Sequence, residues 1–231
     1  YKRMSAQLFT SEKAFSKKSI YSTGEEIANA VTHGVAALMS IAGLAILVGF
    51  AVAYSGSPTV ITAVSVFGAS MIFLYVASTL YHAIPNPKAK QILQRLDHSM
   101  IFVLIAGSYT PFCLVTLKGV TGIVLCIAVW SIAIVGIALQ GILIKQSKWL
   151  NSLLYLAMGW LVLLVIEPLI ESLPNTGLWL LTAGGLSYSL GVIFYIWKTL
   201  PYSHAIWHLF VFAGTVLQFL AVLLYVIPVF N

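Results

Sequence analysis

The run HAIWHLFVFAGTVLQFLAVLLYVIP, residues 204–228, opens with two histidines one helical turn apart and then stays apolar to its end. It exceeds the ~20 residues that an α-helix needs to cross a bilayer. Runs of the same kind recur at about 28–53, 60–82, 97–117, 120–143, 150–170 and 177–198. Seven crossings result. With 60% hydrophobic and 8% charged residues among 231, and a mean hydropathy of +0.99, the chain lacks the polar residues to cover a water-soluble globule. Hydrocarbon offers no partner to backbone N–H and C=O groups, and the runs lack the short alternating pattern of barrel strands. The expected fold is therefore an all-α integral membrane bundle of seven transmembrane helices.

Short connections join the runs: SGSP (55–58), IPNPKAK (84–90), KG (118–119), KQSK (145–148), SLPNTG (172–177) and KTLPYS (198–203). Proline and glycine mark these breaks. No soluble domain fits between crossings, so residues 25–231 read as one membrane domain behind a polar tail at 1–24. AVA at 51–53 resembles a signal-peptidase site, but the first run is too long for such a leader and reads as a retained helix. Cys113 and Cys126 fall inside crossings, without a CxxC pattern, and read as packing residues.

Basic residues set the expected orientation. With the N-terminus in the cytoplasm, Lys2, Arg3, Lys13, Lys17, Lys18, Lys88, Lys90, Arg95, Lys145, Lys148 and Lys198 lie inside, and Lys118 lies outside. An odd number of crossings puts the C-terminus outside. The net charge of +6 follows from topology and attraction to anionic lipid, and calls for no nucleic-acid partner. The expected location is the bacterial plasma membrane, with membrane lipids as the surroundings.

That topology collects all five histidines in one leaflet: His33, His82, His98, His204 and His208. Ionisable groups within crossings are costly and face the interior with partners. His204 and His208, at i and i+4, present two nitrogens on one helix face, and His82 adds a third from the second crossing. Three neutral imidazoles are the donor set of a catalytic zinc that keeps one position open. Ser78 lies one turn from His82. Asp97 returns to the same height after the turn holding Pro85 and Pro87, where its carboxylate either takes a proton from water or orients a ligand imidazole.

The bland readings stand beside these. His33 is a packing histidine or a partner of the metal cluster, and His98, rotated about 100° from Asp97, meets interfacial solvent. Glu25 and Glu26 suit the positive end of the first helix. Several of the six tryptophans stand near crossing ends as interfacial anchors.

The motifs EIANAVTH (26–33), STLYH (78–82), LDHSMIF (96–102) and HAIWH (204–208), in that order, resemble the signature of the progestin and adipoQ receptor family, bacterial hemolysin III branch. LIAGSYTPF (104–112) and AMGWL (157–161) extend the likeness, which runs from about 22 to 228. The resemblance implies a cytoplasmic N-terminus and a zinc ion held by His82, His204 and His208, with Asp97 and Ser78 around the metal and its water. Glu26, Asn29 and His33 match the family's first-helix motif. Similarity to adiponectin receptors and alkaline ceramidases implies hydrolysis of a lipid amide, with an acyl chain lying between helices. The competing readings are a receptor or sensor with a structural zinc, and a pore or lytic protein, although no polar stripe continues beyond the cluster.

Overall fold

A computed structural model describes residues 21–142, 148–197 and 199–227. Residues 1–20 of the expected tail, and Lys145 and Lys198 from the basic set, lie outside the described residues. The described chain is all-helical and carries seven helices long and apolar enough to cross a membrane. They are built from eight α-helical segments: α1 (Thr23–Phe50), α2 (Pro58–Ala83), α3 (Pro87–Pro111), α4 (Gly119–Ile142), α5 (Lys148–Gly159), α6 (Ile166–Ser172), α7 (Asn175–Ile196) and α8 (Ser203–Ala221).

Local chemistry fixes where these helices begin. Ser22 caps α1: its Oγ accepts from Glu25 N–H, while Glu25 Oε2 accepts from Ser22 N–H at 2.8 Å, a reciprocal box that satisfies two otherwise orphaned donors. Glu25 does more than complement the helix dipole. Its Oε1 also accepts from the backbone N–H of Tyr202 at 3.1 Å, which ties the start of α1 to the residue that caps α8. Asn86 caps α3 by accepting from Lys88 N–H and Ala89 N–H, and Pro58 and Pro87 stand in the first turns of α2 and α3, where a missing N–H costs nothing. At the far end of α1 the chain widens into a π turn, Ala51–Ser55, closed by Gly56 in the left-handed region (φ 62°).

The fifth crossing differs from the single helix expected over 150–170. The α-helix stops at Gly159, a 3₁₀ turn covers Leu161–Val165, and α6 resumes at Ile166. Pro168 lacks a donor and crowds the carbonyl four residues back, at Leu164, so a regular helix cannot pass through. Tyr109 of α3 mends the break. Its hydroxyl donates to Gly159 O at 2.6 Å and accepts from Val162 N–H at 2.9 Å. The backbone groups that the break releases thus find a partner inside hydrocarbon, where each would otherwise be costly.

Packing runs α1–α2–α3, then α5, α7 and α8, with α8 returning to α1 and α4 lying against the outer side of α3. Close approach depends on small residues, as between helices in lipid generally. At Gly107 of α3 a Cβ would strike Ser70 of α2, and at Gly214 of α8 it would come within 2.7 Å of the Tyr188 ring of α7. The ring of helices so formed brings the first turns of α1 and α8, the last turn of α2 and the third turn of α3 to one end of the bundle.

Candidate metal centre

The last turn of α2 carries His82, and the first two turns of α8 carry His204 and His208. All three are buried, and one ligand nitrogen from each lies within 4.8 Å of the others. Ring centroids are 5.1 Å apart for His82 and His204, 5.3 Å for His82 and His208, and 4.6 Å for His204 and His208. Among the described residues they form the one group able to hold a metal ion. His98 is half-buried on α3 and outside it, and its backbone carbonyl accepts from Tyr155.

Helix α1 orients two of the rings from behind. His82 Nδ1 lies 2.7 Å from Glu26 Oε2 and 3.4 Å from Asn29 Nδ2. The shorter contact decides the tautomer: a carboxylate only accepts, so Nδ1 carries the proton and Nε2 keeps its lone pair. His208 Nδ1 lies 3.2 Å from the Asn29 carbonyl and 3.1 Å from Thr32 Oγ1. Thr32 spends its own hydrogen on the carbonyls of Ala28 and Asn29, so it too accepts from His208. The Nε2 atoms of His82 and His208 are buried without a hydrogen-bond partner in the protein. This is the arrangement in which metal-binding histidines are held, one nitrogen anchored to a carboxylate or carbonyl and the other free to bind. The donors fit a divalent ion that accepts imidazole nitrogen.

Glu26 is itself held. Its Oε1 pairs with Lys90 Nζ at 2.8 Å, and Lys90 donates as well to Tyr81 O at 2.9 Å. Lys90 therefore has a place in the site besides any part in topology. Ser78 and Asp97 are both buried, and the Asp97 carboxyl interacts with the Ser78 hydroxyl without forming a well-aligned hydrogen bond. The phenols of Tyr21, Tyr81 and Tyr195 lie within electrostatic reach of Asp97. Tyr21, just before the cap of α1, leans over the cluster with its ring 5.0 Å from His204 and 5.8 Å from His82. Burial, reinforced by Tyr81, Tyr195, Asp97 and Glu26, pushes its phenol above the usual range. His33 stacks on His208, centroids 3.5 Å apart with planes within 10°.

Below the cluster, towards the opposite end of the bundle, a partly open cavity of about 190 Å³ runs among α3, α5, α7 and α8. Its walls are mostly apolar, Leu104, Trp207 and Val211 among them, and His33 stands in its lining.

A family model described as "Haemolysin-III related" matches residues 21–219, the stretch that contains every residue of this centre. The chain belongs to the haemolysin-III related family. It is 48% identical over 210 residues to the "Hemolysin-3 homolog" of Bacillus subtilis (strain 168), covering 91% of this chain and 98% of that protein. It is 47% identical over 204 residues to "Hemolysin-3" of Bacillus cereus, covering 88% and 93%. The human "Monocyte to macrophage differentiation factor" is 30% identical over 207 residues, covering 86% and 83%. Nearly the whole length is shared with the two Bacillus proteins, and the seven apolar helices mark this chain as a multi-pass membrane protein.

Three residues of this haemolysin-III centre escape a reading of the sequence: Thr32, Lys90 and Tyr21. Thr32 does follow Glu26 and Asn29 at helical spacing, which is a usable signal. Lys90 reads as a topology marker, and Tyr21 sits in a stretch that charge and hydropathy assign to the tail.

Proposed function

We propose that this haemolysin-III protein is a zinc-dependent hydrolase of lipid amides or related lipids, working within the membrane. The observation that carries this reading is the meeting of three buried imidazoles beside an apolar cavity, two of them with Nδ1 anchored and Nε2 unpartnered. His82, His204 and His208 would hold the ion. When bound, a zinc ion with three imidazole donors supplies a Lewis acid that polarises a carbonyl and acidifies water.

The chain's own residues supply the rest. Asp97 takes the proton from the attacking water and passes it to the leaving amine, and the Ser78 hydroxyl donates to the carbonyl oxygen as charge develops there. The apolar cavity receives the acyl chain and excludes water from it. Eleven of twelve basic residues favour a cytoplasmic N-terminus and an outside C-terminus, which puts the centre near the inner face of the plasma membrane.

The test is turnover of a panel of ceramides and other lipid amides by purified protein, with metal content measured alongside. Asp97→Asn should keep the metal and lose about 10²–10⁴-fold in turnover. His208→Ala should lose both. Metal-loaded protein that turns over nothing in the panel sinks the proposal. The grip of α1 on His82 and His208 favours a second reading, a receptor or sensor in which zinc clamps α2 to α8 and stabilises the fold. A fourth coordination position filled by protein would favour that reading; one open to the cavity favours hydrolysis.

A further inference from the structure

His82 is the last residue but one of α2 and His204 the second of α8, so the cluster sits about one turn from the end of the bundle. Water at that end is close, yet His82, His204 and His208 are only 3%, 5% and 0% exposed. The cavity on their other side is walled mostly by apolar groups. A hydrated divalent ion does not travel through such a space, because an unpaired charge there is costly. It reaches the centre from the aqueous end, and whatever covers the rings at that end has to move aside. Aromatic side chains supply the cover. Tyr81 stands 4.5 Å from His82, Trp207 4.9 Å and Tyr195 6.0 Å from His204, as ring centroids. Among these rings Tyr21 differs in spanning two helices, 5.0 Å from His204 of α8 and 5.8 Å from His82 of α2.

Tyr21 is also the one of the four that can move cheaply. Tyr81, Tyr195 and Trp207 stand within helices, whose backbone bonds hold them in place. Tyr21 precedes the cap of α1, and the first backbone bond of that helix runs from Glu26 N–H to the Ser22 carbonyl, beyond it. The Ser22 N–H is satisfied by Glu25 Oε2 whichever way Tyr21 turns. Rotation at residue 21 therefore uncovers His204 and His82 without breaking a helical hydrogen bond. The donors stay aimed as it does so, since His82 and His208 are anchored by Glu26, Asn29 and Thr32. We propose that Tyr21 is the movable cover of the centre, opening a path by which a divalent cation passes between the water at that end and the three histidines. It sets the rate of exchange and leaves affinity alone. The cation rests on the metal reading given above; the cover requires no hydrolysis.

The experiment loads the full chain in nanodiscs with radiolabelled zinc and follows release into excess EDTA, uptake by metal-free protein, and equilibrium affinity. Tyr21→Ala should speed release and uptake alike, by about tenfold, the factor that burying part of an aromatic ring is worth, with affinity within about twofold of wild type. Tyr21→Phe keeps the ring and should exchange within about twofold of wild type. Unchanged rates in Tyr21→Ala overturn the proposal. Faster release with uptake unmoved overturns it as well, since Tyr21 would then stabilise the bound state rather than cover it. So does Tyr21→Phe matching Tyr21→Ala, because the hydroxyl and not the ring would be at work. A second readout uses no metal: acylation of histidines by diethyl pyrocarbonate in the metal-free chain, resolved by mass spectrometry. Tyr21→Ala should raise the rate at His204 and His82 about tenfold with His98 unchanged, and equal rates at His204 and His82 in wild type and variant overturn the cover. A chain that binds no zinc sinks the hydrolase reading, and the acylation rates alone then judge Tyr21.

Discussion

His82 Nδ1 and Glu26 Oε2 stand 2.7 Å apart across the α1–α2 interface, and the other oxygen of the same carboxylate holds Lys90. The first-helix motif thereby acquires a physical task. One carboxylate fixes the tautomer of His82, aims its Nε2 at the cluster, and is kept in place by an ammonium from the start of α3. The same helix turns His208 through the Asn29 carbonyl and Thr32. Four crossings, α1, α2, α3 and α8, are therefore joined to set two donors.

Glu26→Gln should lower metal affinity about 10–100-fold while leaving the bundle folded, because a neutral amide no longer favours the N–H of the ring behind it. Competition with a chromophoric chelator measures it. Thr32→Val should cost far less, since the Asn29 carbonyl still accepts from His208. An affinity unmoved by Glu26→Gln would mean that this carboxylate serves Lys90 alone.

Much of this was legible beforehand, for a reason particular to membranes. Apolar length counts the crossings, and lysine and arginine assign depth, so His82, His204 and His208 can be brought to one height with no knowledge of contacts. The break at Gly159 is not legible, since VLLVIEPLI (162–170) is apolar but for Glu167 and continues a run long enough for an unbroken crossing. What fills the gap is a phenol from another helix, Tyr109, and hydropathy carries no information about it. Tyr21 is a similar case: the polar residues around it describe a tail, while its seat lies against His82 of α2 and His204 of α8, which only the fold brings together. His33 reads in the sequence as either a packing residue or a partner of the metal cluster, and its stack on His208 serves the first.

Tyr109→Phe should destabilise the protein by about 1–3 kcal/mol, because the Gly159 carbonyl and Val162 N–H would be left buried without the hydroxyl. The loss should appear in thermal unfolding in detergent and as faster amide exchange confined to residues near 159–165. Metal binding should change little. Uniform loosening of all crossings would instead point to the ring's packing as the larger contribution.

Alkali offers a test of Tyr21, whose phenol lies ahead of α1 and is raised by burial first and by nearby phenols and carboxylates after that. A proton held more tightly in the folded than in the unfolded chain stabilises fully below the ordinary phenol pKa of about 10 and less as pH rises beyond it. Wild type and Tyr21→Phe should therefore show a constant difference in unfolding midpoint from pH 7 to 9. Above about pH 10 the wild type should fall faster, since only it gains from releasing that proton on unfolding. Parallel curves throughout would place the phenol in water.

Gly107→Ala probes the α2–α3 contact that brings Ser78 and Asp97 together. Gly107 faces Ser70, whose hydroxyl donates to the Phe67 carbonyl at 2.7 Å, so the serine cannot swing away without losing that bond. A methyl there must push the two helices apart, an overpacking that costs about 1–3 kcal/mol. Asp97 stands ten residues before Gly107 on α3, close to three turns away, and Ser78 eight residues after Ser70 on α2. Separation at the glycine should therefore be felt at the carboxyl–hydroxyl pair more than at the histidines, which α2 and α8 carry and α1 orients, with α3 acting one step further off through Lys90 on Glu26. The expected result is lower stability and impaired turnover with metal affinity close to wild type. Ser70→Ala in the same chain should restore part of both losses by making room for the methyl, and a double variant no better than Gly107→Ala would argue that the damage arises elsewhere in the contact.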